Sequence, residues 1–304
     1  MDSSSTKIEN MNDIRQSKNY ADYLLTQGWI VERIGNINYF VKKIPFLGSI
    51  LKIQRPEKID FRTIQKLEKK YKVFQTIIEP INEIEAKFLI NKGYKLSKSP
   101  YLPSKTLHLD LTQSKEKIFR NFSKDCRYSI KKGEGIKISD CSTTQEITNF
   151  YNAWKKSVNF NRYVPSLESL LKLEENFPCL AGRQAQKRSL FLTSHNNVGT
   201  IIGGAIFTTS FHDVSNYIIY DEGTIYYWHG FTNSEGRTSL SQYPLLYQAI
   251  LWGKEMKYKI FDFEGIYDER FPQQSWIGFT HFKKSFGGTE VSYPGCYTKF
   301  RLPV

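Results

Sequence analysis

Apolar and polar positions alternate at two periods along this chain, and the switches between them divide it into elements. From Asn12 to Gln27 the apolar residues recur at helical spacing, with Asn12 or Asp13 placed as cap and Gly28 as stop. Period-two alternation predicts strands over Trp29–Ile34 and Asn38–Ile44 about a Gly35-Asn36 turn, then a short strand over Ser49–Ile53. A helix over Asp60–Tyr71, a strand over Val73–Ile78 ended by Glu79-Pro80, and a helix over Ile81–Asn91 stopped by Gly93 follow. Leu96–Ser104, with Pro100 and Pro103, reads as a linker.

Beyond it, Leu107–Leu111 alternates as a strand, and Ser114–Lys132 reads as one helix ended by Gly133 and Gly135. A strand over Ile136–Ser139 and helices over Thr143–Phe160 and Ser166–Glu175 come next. Four strands in meander order are predicted: Ser189–Thr193, Thr200–Thr208, Val214–Asp221 and Thr224–Thr232. The Gly203-Gly204 pair suggests a bulge or a close ligand approach. A long amphipathic helix over Ser239–Lys257, a buried-type strand over Lys259–Phe263, and one or two strands within Thr289–Leu302 complete the pattern. Each half mixes helices with a strand meander. The expected fold class is therefore mixed α/β with a largely antiparallel sheet, built twice.

At 304 residues, 40% hydrophobic and 24% charged, the chain is long enough for two globular domains. No apolar run reaches the roughly 18 residues of a membrane span. The first residues, MDSSSTKIENMND, are too polar and acidic for a signal peptide. Cys126, Cys141, Cys179 and Cys296 form no CxxC pair, which argues against zinc and suits a reducing cytoplasm. The net charge of +13 favours polyanionic partners, unless it reflects a generally lysine-rich background.

The candidate chemistry gathers near the end. Gly278–Gly288, GFTHFKKSFGG, sets two lysines between aromatic anchors and closes on a glycine pair, while Asp262-Phe263-Glu264-Gly265 ends an apolar run. A lysine flanked by aromatics acts strongly on a developing anion. The plainer alternative is a helix C-terminus with cations on its dipole and a glycine cap.

Several spaced motifs resemble the Fem family of non-ribosomal peptidyl transferases, which build peptidoglycan cross-bridges. Thr106–Leu111 followed by Arg127-Tyr128-Ser129-Ile130-Lys131-Lys132 resembles the start of the family's second domain. Tyr226–Gly230, the helix Tyr243–Lys257 and Ile260–Gly265 resemble its YxxG…DFxGI block, and Phe279–Gly288 its closing FKKxFGG. Gln16-Ser17 to Gly28-Trp29 resembles its first helix. The resemblance spans nearly the whole chain. It implies two GNAT-like acyltransferase domains, residues 1–104 with return strands in 289–304, and residues 105–288.

It also implies a reaction: an aminoacyl-tRNA gives its amino acid to an amine on the stem peptide of a peptidoglycan precursor. The donor is an activated ester, so no metal or other cofactor is expected. The expected partners are aminoacyl-tRNA, a nucleotide- or lipid-linked precursor and, through a lipid-linked one, transient contact with the cytoplasmic membrane face. Lys283 matches the family's catalytic lysine, and Phe282 the preceding residue, whose backbone would orient the incoming amine. Glu79 matches an acidic residue near the acceptor, although a solvated strand-end carboxylate is the alternative. Tyr227 and His229 lie on the strand matched to acceptor contacts; a core tyrosine is the other reading. The family's diphosphate lysine falls where Leu24 and Leu25 stand. Its Arg and Tyr fall near Pro165 and Ser169, with Arg162 and Tyr163 close by; Arg162 is kept as a substrate candidate. Between Ser114 and Lys137 the excess of basic residues makes Lys124, Arg127, Lys131 and Lys132, together with Lys284, candidate tRNA contacts, or else a solvated helix face. Two other functions stay open: an acyl-CoA-dependent N-acyltransferase, although Asn233–Thr238 lacks a pyrophosphate loop, and a non-catalytic RNA-binding protein.

Overall fold

The computed structural model describes residues 13–158, 162–177, 189–214 and 217–301. Its first part opens with a single 3-10 turn, Ile14–Gln16, capped by Asp13, and then α1 (Lys18–Thr26), capped by the Ser17 hydroxyl. The hairpin strands β1 (Ile30–Ile34), β2 (Ile37–Ile44) and β3 (Gly48–Gln54) follow. Next come α2 (Phe61–Lys70), β4 (Val73–Glu79), α3 (Glu83–Asn91) and the short β5 (Lys95–Leu96). The second part runs β6 (Lys105–Asp110), α4 (Lys115–Asn121), α5 (Lys124–Lys132), β7 (Lys137–Asp140), α6 (Thr144–Ser157) and α7 (Leu167–Asn176). It continues with β8 (Ser189–His195), β9 (Ile201–Val214), β10 (Tyr217–Thr232), α8 (Ser234–Thr238), α9 (Gln242–Glu255) and β11 (Ile260–Asp262). It closes with α10 (Ile277–Lys284), β12 (Thr289–Ser292) and β13 (Tyr297–Phe300).

Two mixed, largely antiparallel sheets result, as expected. The first has the order β1-β2-β3-β4-β13-β5, with β3 and β4 parallel around α2. The second has the order β12-β6-β11-β10-β9-β8-β7, with β10 and β11 parallel around α8 and α9. Tyr39, Val41, Leu51, Leu67 and Leu89 fill the core of the first sheet beneath α2 and α3. On one face of the second sheet, Leu107, Leu109, Phe207, Ile225 and Phe261 pack under α4, α5 and α9. On its other face, Phe191, Ile206 and Tyr226 meet α6 and α7, and also Tyr20 and Leu24 of α1 and Phe40 of β2. That shared cluster joins the two halves.

Three expectations are corrected. Ser114–Lys132 is two helices, because Phe122 turns into the core and Ser123 starts α5 as an N-cap, its amide donating to the Ser285 carbonyl at 2.7 Å. The four-strand meander is three strands, since β9 and β10 run on past the expected breaks. The tail strands do not return together. Gly288, at φ +95°, lies against the His108 carbonyl, so β12 emerges beside β6 and pairs within the second sheet. Only after Gly295, at φ +103°, does the chain cross to the first sheet as β13.

Gly203 and Gly204 are explained by packed side chains. A Cβ on Gly204 would come within 2.6 Å of Phe231 and 2.7 Å of Phe150. Cys126, Cys141 and Cys296 are buried, and Cys179 lies outside the described residues. Among the described residues no helix is long and apolar enough to cross a membrane.

Candidate active site

The strand β11 ends in a tight turn, Phe263-Glu264-Gly265. Glu264 adopts φ +52° and Gly265 φ +105°, and a Cβ on Gly265 would meet Pro103 at 2.8 Å. Left-handed backbone at a glutamate is costly, so its surroundings must hold it there. Two cations do so.

Lys283 approaches from α10. Its Nζ donates to the carbonyls of Phe263 at 2.6 Å and Gly265 at 2.7 Å, with Glu264 O at 3.5 Å. An ammonium has three N–H groups, so one is only loosely engaged. The rings of Phe279 and Tyr227 face Nζ at 4.9 and 5.4 Å. With 8% of its surface exposed, Lys283 is held down to about 8 by burial, which outweighs the opposing pull of Glu264 and Asp262. The result is a fixed, desolvated cation between aromatic rings.

Arg15 approaches from the other side, its Nη1 and Nη2 donating to Glu264 Oε1 and Oε2 at 2.8 and 2.7 Å. Asp13 accepts from both Arg15 and Arg55, at 3.2 and 2.8 Å. Arg55 also donates to the Pro103 carbonyl at 2.7 Å and stacks 3.6 Å over Tyr293. Two arginines and two carboxylates thus cancel in charge at the junction of the sheets. Beneath the turn, Asp262 accepts from Thr106 Oγ1 at 2.5 Å and from the Glu264 amide at 2.8 Å, and pairs with His108 at 3.1 Å. Burial pushes Asp262 upward, but His108, Thr106 and that amide together hold it below the usual carboxylate range.

Tyr227 and His229 part company. Along β10, Tyr227 pairs with Phe207 but His229 pairs with Ile206, so Trp228 is an inserted bulge residue. The bulge reverses the alternation. Tyr227 stacks on Phe207 beside Lys283, while His229 lies on the opposite face against Trp154, its ring 5.3 Å away. Burial lowers His229 to about 4. The same shift returns Gly230 to the Tyr227 face, where an added Cβ would be 2.0 Å from the tyrosine oxygen. This accounts physically for the YxxG spacing.

Other candidates are distributed unevenly. Glu79 is not a solvated carboxylate: it is buried, accepting from Gln54 at 2.8 Å and from the Leu102 amide at 2.6 Å, so it stitches the linker to the first sheet. The Phe282 carbonyl accepts from the Ser285 hydroxyl at 2.6 Å and its amide at 3.2 Å, which fills both lone pairs and argues against its orienting an amine. Arg162 is exposed on the chain between α6 and α7. Lys124, Lys131 and Lys132 are exposed on α5, but Arg127 folds back to donate to the Arg120 and Phe122 carbonyls and closes α4. Lys284 points to the surface and pairs with Glu290 at 2.5 Å. A cleft of about 150 Å³ lies between the linker, Pro100–Ser104, and residues 266–276. Its wall includes Trp276, whose ring lies tilted against Phe279, 5.2 Å away, so that the Phe279 ring stands between the cleft wall and Lys283.

The sequence pointed to Asp13 only as a helix cap and to Glu264 only as part of an unusual stretch, and it gave no role to Arg15 or Arg55. Their separation in the chain hides the cluster, and only the Glu264-Gly265 dipeptide signals the turn.

The fold is a tandem GNAT-like one. The structure of FemX superposes with a TM-score of 0.74 at 13% identity, covering 95% of this chain and 92% of that one. The C-terminal domain of a putative lysylphosphatidylglycerol synthetase from Agrobacterium fabrum gives 0.56 at 13% identity, covering 93% of this chain and 87% of its own. A tandem GNAT protein from the clavulanic acid biosynthesis pathway gives 0.51 at 8%, covering 88% and 81%. The expected GNAT-like fold class, two mixed sheets flanked by helices, is therefore present. No family model matches the chain, and no curated protein matches its sequence.

Proposed function

We propose that the protein is an aminoacyltransferase that moves an amino acid from aminoacyl-tRNA to an amine of a peptidoglycan precursor's stem peptide. The acceptor amine adds to the ester carbonyl, the carbonyl oxygen takes up negative charge, and collapse forms the amide and releases the tRNA 3′ hydroxyl. The observation that carries this reading is the fixed Lys283 cation. Its carbonyl partners preset its position, and its loosely engaged N–H is available to the oxyanion. A single donor of this kind is worth about 3–4 kcal/mol. The cleft walled by Trp276 lies one aromatic ring away from Lys283, near enough to hold an acceptor, and the exposed lysines of α5 suit the phosphates of tRNA.

An acyl-CoA donor is less well served. The short helix α8 stands before α9 in place of a phosphate-binding loop, and Gly236 is consumed in packing, since a Cβ there would be 2.2 Å from the Ile202 carbonyl. The deciding experiment incubates the protein with a mixed charged-tRNA pool and candidate precursors and reads the acceptor by mass spectrometry. A mass gain of one or more amino acids supports the proposal. Acetyl transfer from acetyl-CoA without tRNA-dependent transfer would replace it.

A further inference from the structure

The tip of the β2–β3 hairpin plays no part in this chemistry. Phe46 is fully exposed, at 107% of its reference surface, and Leu47 beside it at 57%. The tip is rigidly built. Leu47 donates its amide to Ile44 O at 3.2 Å, and Ile44 pairs with Gly48. Gly48, at φ +103°, lies so close to the α2–β4 turn that a Cβ would be 2.4 Å from the Lys72 carbonyl, and Ser49 donates to that same carbonyl at 3.1 Å. Phe46 itself holds φ +65°, a conformation a bulky residue rarely adopts. The fold thus braces two large apolar side chains outward into water.

Their surroundings are basic. Lys43 is exposed on β2 just before the tip, Lys69 on the last turn of α2, and Lys72 on the turn that braces it. The acids of the same region are engaged: Glu32 pairs with Lys70 at 2.6 Å, and Glu68 is buried against Arg301 at 2.6 Å. An apolar point with a cationic collar is complementary to one kind of surface, an anionic bilayer, whose phosphates lie just above a soft apolar boundary. A nucleic acid fits less well, because only Phe46 offers a ring to a base while Leu47 would stay exposed to water beside it.

We propose that this hairpin tip seats the protein on anionic lipid, with Phe46 and Leu47 entering the headgroup–acyl boundary and Lys43, Lys69 and Lys72 resting on lipid phosphates. The inference stands whichever donor and acceptor the enzyme uses. The test is sedimentation of the full chain with vesicles of phosphatidylcholine, with or without roughly one-third phosphatidylglycerol. Binding is expected only with the anionic lipid and should weaken with salt. The double variant Phe46→Ser/Leu47→Ser should lose most of it, as should Lys43→Glu/Lys72→Glu. In a separate Phe46→Trp variant, the added emission should shift to the blue on anionic vesicles. Absence of wild-type binding, unchanged binding by either double variant, or an unshifted Phe46→Trp emission would overturn the proposal. So would a Phe46→Ser/Leu47→Ser variant that loses affinity for tRNA while keeping its affinity for vesicles.

Discussion

Arg15 and Glu264, 249 residues apart, meet as a two-pronged ion pair with N–O distances of 2.8 and 2.7 Å. Both side chains are almost wholly buried, at 3% and 8% exposure. Arg15 holds the carboxylate of the turn, and Lys283 holds its carbonyls. The left-handed Glu264 backbone is therefore fixed by one cation from the N-terminal segment and one from α10.

Truncating one partner of such a pair leaves the other charged and desolvated. Arg15→Ala is expected to lower stability by about 3–5 kcal/mol, read as a fall in the denaturant midpoint. Arg15→Lys should restore only a minor part, because an ammonium cannot serve two carboxylate oxygens and Asp13 in one plane. A loss below about 1 kcal/mol for Arg15→Ala would show that the cluster is not needed to hold the turn.

Gly230 offers a cleaner test of the β10 bulge. A methyl at this position collides with the Tyr227 hydroxyl and presses on its ring, at 2.0 and 2.8 Å. Gly230→Ala is expected to cost about 1–3 kcal/mol through overpacking. In a Tyr227→Phe background the same change should cost clearly less, since the nearest atom has gone. Additive losses in the double-mutant cycle would contradict the proposed contact.

The bulge also shows what the sequence could and could not reveal. Alternation places Tyr227 and His229 on one face, and nothing in Tyr227-Trp228-His229 announces the extra residue that separates them. Strand and helix positions were legible because they depend on local periodicity, as in the β1–β2 hairpin about Gly35. The break at Phe122-Ser123 was not, because a serine inside a basic helical run reads as solvated surface until its amide finds Ser285. Lys283 stood out as a candidate through its aromatic flanks and its motif, but the rings that face it, Phe279 and Tyr227, are not those flanks. The charges around it were not legible, because Asp13, Arg15 and Arg55 converge on Glu264 only through the fold.

His229 gives a pH signature. Burial lowers it to about 4, below its ordinary value of 6.5, so between these values the unfolded chain binds a proton that the folded chain refuses. Stability is therefore full above pH 6.5 and lost as pH falls toward 4. At pH 5 this one group should cost about 1–2 kcal/mol relative to neutral pH. A His229→Phe variant should show a correspondingly smaller decline in denaturant midpoint over the same interval. Parallel declines in the two proteins would mean the imidazole titrates normally.

The exposed lysines of α5 bear on the donor. If they meet tRNA phosphates, each neutralised phosphate contributes a log–log salt slope of up to roughly −0.9. Replacing Lys124, Lys131 and Lys132 together by Ala should flatten that slope, whereas Arg127→Ala should act mainly on stability, because Arg127 closes α4. An unchanged slope in the triple variant would leave α5 as a solvated face.

Lys283 decides the mechanism. An oxyanion partner acts in the transition state and little in the ground state, so Lys283→Ala should lower single-turnover transfer about 10²–10³-fold while leaving substrate affinity nearly unchanged. Lys284→Ala should do far less, since Lys284 sits at the surface on Glu290. Lys283→Arg should not restore full activity, because a planar guanidinium cannot occupy a site built on carbonyls spaced for an ammonium. The sign of the pH dependence follows from burial. Lys283 is held down to about 8, and the protonated form is the active one, so turnover at saturating acceptor should fall as pH rises through about 8. Because alanine also strips the Phe263 and Gly265 carbonyls of their donor, each variant's thermal melt is compared at the assay temperature, and Lys283→Met serves as a bulkier control. Wild-type turnover in a folded Lys283→Ala or Lys283→Met protein, or a loss confined to affinity, would make Lys283 a clamp on the turn and remove it from the chemistry.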